Sequence, residues 1–103
     1  MANIDDQQYI DRVINGDTSA FAVLADQYKV MVFSLALKML KNREEAEEVT
    51  QDSFLKVYKS LAKYKGESKF STWLYTITYN TCLDRIRKNK RAQPVVALSL
   101  IHI

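Results

Sequence analysis

The sequence predicts an all-α domain, a compact bundle of about four helices. Apolar residues recur at intervals of three and four along most of the chain, as they do on the buried face of a helix, whereas strand-like alternation is scarce. The 103 residues include only 2 glycines and 1 proline, and 48% of them are hydrophobic. A chain of this size and composition can form one modest core, so disorder is not expected.

The first two helices are predicted on either side of a turn at residues 15–17, which read Asn-Gly-Asp. Glycine tolerates the left-handed geometry at a helix C-terminus, so Gly16 is expected to end the first helix, which starts near Asp5. The second helix is predicted over residues 19–40. Its apolar residues occupy more than one face. It is therefore expected to be the central helix of the bundle.

A third helix is predicted to begin at Asn42, whose side chain can accept a hydrogen bond from the backbone of Glu45. The Glu45 side chain is expected to return a bond to Asn42 and complete a capping box. The core face of this helix is expected to consist of Ala46, Val49, Phe54, Val57, Tyr58 and Leu61. A second face carries Glu48, Gln51, Asp52 and Leu55 at the spacing i, i+3, i+4, i+7. The spacing leaves open whether this acidic strip is a solvated face or a docking surface.

A basic loop is predicted over residues 63–71, before a fourth helix over residues 72–90. Gly66 in this loop would let the backbone approach a ligand closely. The fourth helix has apolar or aromatic residues on three faces, and a small bundle cannot bury all three. Some of these side chains are therefore expected to line a surface or groove, although core packing is the commoner role for each aromatic residue.

Charge is distributed unevenly along the chain. Residues 1–62 carry seven Lys and Arg against ten Asp and Glu, whereas residues 63–103 carry eight against two. The stretch 64–91 also combines aromatic and hydroxyl side chains with a dense basic end. This mixture suits a single-stranded nucleic acid, because aromatic rings stack on bases and cations neutralise phosphates. The charge asymmetry alone is equally consistent with an ordinary solvated surface.

Several classes of function are not expected. One cysteine, Cys82, and one histidine, His102, cannot form a zinc-type ligand cluster, and no spacing brings together a catalytic triad or a phosphate-binding P-loop. We therefore expect neither an enzyme nor a metal or other cofactor. No membrane span and no secretory leader are expected either, which makes a cytoplasmic protein the default expectation.

Three blocks of the sequence, in order, carry a resemblance to a known family: EEVTQDSFLKVY, KYKGESKFSTWLY and YNTCLDRIRK. With the preceding NGDTSAFAVLADQY, they make residues 6–92 similar to the second conserved region of extracytoplasmic-function (ECF) sigma factors, the promoter-specificity subunits of bacterial RNA polymerase. The occurrence of all the blocks in the family's order indicates the family more specifically than any single block does. The resemblance implies an all-α sigma region 2 domain over residues 1–92.

The resemblance implies a role for each surface. The strip Glu48, Gln51, Asp52 and Leu55 would dock on the arginine-rich clamp helices of the polymerase largest subunit. The loop 64–70 would hold a base flipped from the non-template strand of the minus-ten promoter element. Asn80 matches a position near that base, and Trp73 matches an aromatic involved in melting. The residues expected at the DNA are Lys63, Tyr64, Lys65, Gly66, Ser68, Lys69, Phe70, Trp73, Thr76, Asn80, Arg85, Arg87 and Lys88.

Residues 93–103 are predicted to be a linker or a truncated apolar tail, without the second DNA-binding domain that family members carry. The expected partners are the polymerase core and promoter DNA, with an anti-sigma factor as a further candidate. The alternative is a helical protein-interaction module, for example one bound by an anti-sigma factor, that does not read DNA.

Overall fold

The computed structural model describes the backbone of residues 4–92 and the side chains of residues 6–91. It contains four α-helices: α1 (Ile4–Ile14), α2 (Ser19–Leu40), α3 (Arg43–Ser60) and α4 (Phe70–Ala92). A short 3-10 helix, Leu61–Lys63, follows α3 directly. The prediction of an all-α bundle of about four helices is confirmed. The predicted apolar tail, residues 93–103, lies outside the described part of the chain.

Two residues with positive φ mark the turns on either side of α2. Gly16 has φ +103° and separates α1 from α2, as predicted. Lys41 has φ +55°, and its backbone N–H donates to the Leu37 carbonyl, 2.8 Å away. This left-handed residue ends α2 and turns the chain into α3.

Asn42 caps α3 as predicted. Its side-chain oxygen accepts a hydrogen bond from the backbone N–H of Glu45 at 2.9 Å. The predicted return bond between the Glu45 side chain and the Asn42 backbone is not among the hydrogen bonds of the described residues. Instead the Glu45 carboxylate accepts from the side chain of Asn89 on α4, at 2.7 Å. The N-terminus of α3 is therefore tied both to its own cap and to the end of α4.

Replacing Asn42 with alanine is expected to lower the free energy of unfolding by about 1 kcal/mol, because one backbone N–H at the start of α3 loses its acceptor. Urea denaturation measures this loss. Asn42→Asp is the control, since a carboxylate caps equally well and should leave the midpoint nearly unchanged. Equal stability of all three proteins would show that the Asn42 cap contributes nothing measurable.

Two clusters of buried side chains form the core. The larger one joins α1, α2, the end of α3 and the 3-10 helix to the start of α4, and the smaller one joins α2, α3 and the middle of α4. The buried members of the larger cluster are Ile10, Val13, Ala20, Leu24, Val32, Val57, Leu61, Phe70 and Leu74, and those of the smaller are Ala36, Ala46, Val49 and Cys82. The larger cluster lies beneath the loop that precedes α4.

The buried face of α3 includes Ala46, Val49 and Val57 as predicted, but it differs from the prediction at three neighbouring residues. Ser53 is fully buried, whereas Phe54 is half-buried and Tyr58 is 41% exposed. Phe54 still packs against the edge of the larger core cluster, and both aromatic residues line the groove between α2 and α3. The predicted core role of Tyr58 is therefore wrong, because periodicity shows which residues share a face but not how far that face turns inward.

By length and composition alone, α2 is a candidate membrane span, contrary to the sequence expectation. The central helix of a bundle meets the same two criteria. Here α2 packs against α1, α3 and α4 and supplies residues to both core clusters. Its core positions account for part of its apolar character, whereas Val23, Val30 and Leu37 remain exposed.

Candidate nucleic-acid interface

A small pocket opens at the loop between the 3-10 helix and α4. Its volume is about 210 Å³, which is less than the volume of a typical site for a drug-sized ligand. The residues that line this loop pocket are Lys63, Tyr64, Lys65, Glu67, Ser68 and Trp73. Four of the six were predicted at the DNA from the basic loop, and Trp73 was predicted from the start of the fourth helix.

Tyr64 and Trp73 form the aromatic side of the loop pocket. Their ring centroids lie 5.0 Å apart and the ring planes are tilted by 39°. The Tyr64 hydroxyl donates a hydrogen bond to the backbone carbonyl of Ser68, which ties the two ends of the loop together. Burial, with the negative charge of Asp6, raises the pKa of Tyr64 above its ordinary value. The hydroxyl therefore stays protonated, and able to donate, at neutral pH.

Phe70 was predicted to touch DNA, and that prediction is wrong. Its side chain is 1% exposed and is one of the largest in the larger core cluster. Its ring centroid lies 5.8 Å from that of Tyr64 and 6.0 Å from that of Trp73. This ring, at the first residue of α4, packs in the core and supports the pocket from beneath.

A buried carboxylate on α1 lies at the far side of the same aromatic stack. Asp6 is 1% exposed and accepts hydrogen bonds from the Tyr28 hydroxyl and, at 3.2 Å, from the Gln27 side chain. The Tyr28 ring packs on Phe70 with centroids 5.6 Å apart. The first turn of α1 is thereby connected to the floor of the loop pocket. Sequence reasoning missed Asp6, because its partners lie 21 and 22 residues away along the chain.

Gly66 serves the loop through its backbone angles. Its φ is +74°, which side chains other than glycine rarely adopt. A Cβ added at this position would meet no atom within 4 Å. Within the described structure, the requirement for glycine is therefore conformational and does not come from close approach to a neighbouring group.

Glu67 is the pocket residue that sequence reasoning passed over. It is exposed and lines the loop pocket beside Lys63 and Lys65. A single acidic residue among lysines looks like ordinary charge balance in a surface loop. Only the shape of the loop places its carboxylate at a pocket wall.

The exposed face of α4 continues away from the pocket. Thr76 and Asn80 are exposed, and the Thr76 hydroxyl donates to the Thr72 carbonyl of its own helix at 3.0 Å. Asn80 follows Trp73 by two helical turns, about 10 Å along the axis at 1.5 Å per residue. It does not line the loop pocket. The structure thus places Asn80 on the same helix as the pocket wall but beyond the pocket itself.

Arg85, predicted at the DNA, is engaged within the domain. Its guanidinium lies 2.9 Å from the carboxylate of Glu48, 3.5 Å from that of Glu45 and 3.9 Å from that of Asp52. Its side chain is only 17% exposed. This ion-pair cluster binds α4 to α3, so Arg85 is not available to phosphates in this conformation. Arg87 and Lys88 are exposed, and Arg87 pairs only with Asp84 on its own helix.

The predicted docking strip forms an exposed ridge on α3, which we call the α3 ridge: Glu48, Gln51, Asp52 and Leu55. Leu55 is 52% exposed and is not isolated. It borders a groove of about 450 Å³ between α2 and α3, together with Phe21, Phe54 and Tyr58. The α3 ridge therefore combines negative charge with an apolar edge that extends beyond the predicted strip.

The sequence and the fold were compared with known proteins. Residues 24–92 match the family model for sigma-70 region 2. The chain belongs to the sigma-70 region 2 family. The resemblance to ECF sigma factors is confirmed by relatives that carry that name. The chain is 43% identical over 81 residues to the ECF RNA polymerase sigma factor SigW of Bacillus subtilis, covering 79% of this chain and 43% of SigW.

A second relative is the RNA polymerase sigma-H factor of Pseudomonas aeruginosa, 36% identical over 89 residues, which are 86% of this chain and 46% of that protein. This sigma region 2 chain thus spans less than half the length of either relative. A solved structure, an engineered region 2 of sigmaE in complex with GTAAAA, matches with a TM-score of 0.77 and 34% identity, over 85% of this chain and 93% of that one.

The segment that matches the family model includes both surfaces of this sigma region 2 domain but not its first helix. The loop pocket and the α3 ridge lie wholly within residues 24–92. Helix α1, with Asp6, lies outside them. The support that Asp6 gives to the pocket floor therefore comes from outside the segment that defines the family.

Proposed function

We propose that this domain docks on the clamp helices of the RNA polymerase core and recognises and melts the minus-ten promoter element, so directing transcription initiation. The observation that carries the proposal is the loop pocket, which has two aromatic walls and a rim of lysines in a domain of the sigma region 2 family. In this role the protein would act on DNA in the cytoplasm and needs no catalytic group of its own.

The loop pocket is suited to one unstacked base. Removing a base from the stack costs a few kcal/mol, and stacking on an aromatic side chain returns about 1–3 kcal/mol per base. Trp73 and Tyr64 offer such faces, and the buried Phe70, itself packed on the half-buried Tyr28, holds them in place. A preformed pocket also avoids the entropy of ordering the loop when DNA binds.

Phosphates would be held on both sides of the pocket. Lys63, Lys65 and Lys69 are exposed around the loop, and Arg87 and Lys88 are exposed near the end of α4. Thr76 and Asn80 lie between these two groups of cations. A strand whose base enters the loop pocket would run along α4, with Asn80 contacting a neighbouring nucleotide. Arg85 is omitted from this surface because of its ion pairs with α3.

The α3 ridge is the proposed polymerase-docking surface. Glu48 and Asp52 pair with Arg85 but remain more than half exposed, so they can complement the arginines of the clamp helices. Leu55 and the neighbouring Tyr58 offer the apolar contact that interface cores require. The loop pocket and the groove beside the ridge share no lining residue, so both partners could bind together. The same exposed groove supports the alternative function, a module bound by an anti-sigma factor that does not read DNA.

A binding experiment separates these two functions. A fluorescent single-stranded GTAAAA oligonucleotide is expected to bind the domain more tightly than the same sequence in a duplex, because no base pair must be opened. Affinity should fall steeply with salt, with a slope of about −0.7 for each phosphate contact in single-stranded DNA. A domain that only binds proteins would give no salt-dependent binding.

Lys65→Gln is expected to reduce the salt slope by about one contact and to weaken binding to every sequence alike. Lys29→Gln is the matched control. Lys29 is exposed in the groove between α2 and α3, away from the loop, and pairs with Asp26 at 3.2 Å. Equal slopes for the two variants would remove the loop from the DNA-binding surface.

A further inference from the structure

The groove between α2 and α3 is longer than the part that Leu55 borders. A second pocket, of about 570 Å³, continues it towards the start of α3, and the two pockets share Lys29 and Thr50 in their linings. Val30 and Phe33 of α2 line the added part. We call the two pockets together the extended groove. It is an open trough that follows α3 along most of its length.

The extended groove is apolar and its charges balance. Val30 is 71% exposed there, and Leu55 and Tyr58 also reach solvent. Its charged residues pair with one another, Lys29 with Asp26 and Arg43 with Glu47, each at 3.2 Å. Exposed apolar surface of this kind marks an interaction site. Because the charges of the trough are already paired, the occupant that it fits best is neutral and apolar.

The chain itself contains such a segment. Residues 95–103, which lie outside the described part of the structure, read VVALSLIHI. Seven of the nine are apolar, and none is Asp, Glu, Lys or Arg. A neutral apolar stretch rich in β-branched residues associates with other apolar surface when it is left in water. A groove and a segment of matching chemistry therefore occur in one molecule.

Helix α4 ends close to the extended groove. The side chain of Asn89, three residues before the end of α4, donates to Glu45 in the first turn of α3 at 2.7 Å. Arg43 and Glu47, on either side of Glu45, line the groove. The chain thus leaves α4 beside the turn of α3 at which the extended groove begins.

The length of the remaining chain fits the distance. A helix with its side chains is about 10–12 Å wide, and an extended chain spans up to about 3.3–3.6 Å per residue. Residues 93–96 are therefore enough to cross the N-terminal end of α3. Residues 97–103 then reach about 23 Å further. That length matches the part of α3 from Arg43 to Tyr58, about 22 Å at 1.5 Å per residue.

We infer that residues 97–103 bind in the extended groove of their own chain and cover the apolar edge of the docking surface. The linkage to α4 holds them at an effective concentration on the order of 1 mM. A dissociation constant of about 0.1 mM for the same peptide would then keep the groove occupied about nine-tenths of the time. Leu55 and Tyr58 border the groove and belong to the proposed polymerase contact, so the segment and a clamp helix compete for them.

Paramagnetic relaxation in the full 103-residue chain tests the contact. Ser99→Cys supplies a thiol for a nitroxide label, since Cys82 is buried. The amide signals of Val30 and Thr50 are expected to broaden strongly. The signal of Ser68, in the loop beyond the C-terminal end of α3, should change little. Absence of broadening at Val30 and Thr50, or equal broadening at Ser68, would overturn the inference.

Two variants of α2 show whether the groove itself is responsible. Val30→Asp places a charge in the groove and should remove most of the broadening at Thr50. Val23→Asp is the matched control, because Val23 is an exposed valine of the same helix that lines neither pocket. Nitroxide-labelled chains are also mixed with isotope-labelled chains that carry no nitroxide. Broadening in the latter would show that the segment enters the groove of a second copy, which contradicts the inference.

The masking of the docking surface rests on the proposed function and has a separate test. Leu100→Asp is expected to tighten capture of a clamp-helix fragment about tenfold, because a groove that was occupied nine-tenths of the time becomes free. Gln93→Asp adds the same charge ahead of the binding segment and should leave capture within about twofold. Unchanged capture by Leu100→Asp would overturn the masking. Failure of every variant to capture the fragment would count against the proposed docking, while the relaxation measurement would still decide whether the segment lies in the groove.

Discussion

Phe70→Ala is expected to lower the free energy of unfolding by about 3–5 kcal/mol, the usual cost of removing a fully buried phenylalanine ring. The ring fills the space between Tyr28, Tyr64 and Trp73. Its loss leaves a cavity directly beneath the loop pocket and removes the support of both aromatic walls. Urea or thermal denaturation measures the effect, and weaker oligonucleotide binding should accompany it even where the variant remains folded.

Tyr75→Ala is the matched control for Phe70→Ala. Tyr75 is an aromatic residue on the same helix but is exposed to 45%. A substitution at such a surface position usually changes stability by no more than about 0.5 kcal/mol. If Phe70→Ala instead left stability unchanged and removed only DNA binding, Phe70 would be a DNA contact and its assignment to the core would be wrong.

Asp52→Arg is expected to weaken capture of a clamp-helix fragment of the polymerase by roughly 100-fold, since opposing like charges across an interface cost several kcal/mol. The substituted side chain also faces Arg85, which keeps its closer partners Glu48 and Glu45. The ion pair lost between Asp52 and Arg85 is long, at 3.9 Å, and more than half of the Asp52 side chain is exposed. Such a pair contributes little to stability, so the fold should persist.

The control for Asp52→Arg makes the same charge change elsewhere. Asp11 is exposed on α1 and accepts a hydrogen bond from Gln7 at 2.9 Å. Asp11→Arg should leave capture of the clamp-helix fragment within about twofold of wild type, because exposed charges beyond a Debye length are largely screened. Equal loss in both variants would show that net charge alone governs docking, and the α3 ridge would then have no special role.

Helix positions could be predicted well because their ends carry local signals. Gly16 and Asn42 act within a few residues of the helices that they end or begin, and α2 has the predicted bounds. The start of α4 is two residues earlier than predicted, at Phe70. Phe70, its first residue, is buried in the core, whereas Trp73 lines the pocket.

The site was only partly predictable, because some of its residues depend on partners far away in the sequence. The lysines, Tyr64 and Trp73 are adjacent in sequence or nearly so, and composition identifies them as a surface for nucleic acid. The assignments that failed or were missed depend on distant partners. Arg85 meets Glu48 across 37 residues and Tyr28 meets Asp6 across 22, and no local pattern encodes such pairs. Glu67 was missed because only the folded loop turns it towards a pocket.

The central claim, that the loop pocket takes up a single base, is tested most directly by the fluorescence of Trp73, the one tryptophan in the chain. Stacking of a base on its ring should quench its emission as single-stranded GTAAAA is added. The same strand with an abasic site at the pocketed position should bind more weakly and quench little even at saturation. Equal quenching by both strands, or binding detected by anisotropy without any change at Trp73, would contradict the claim.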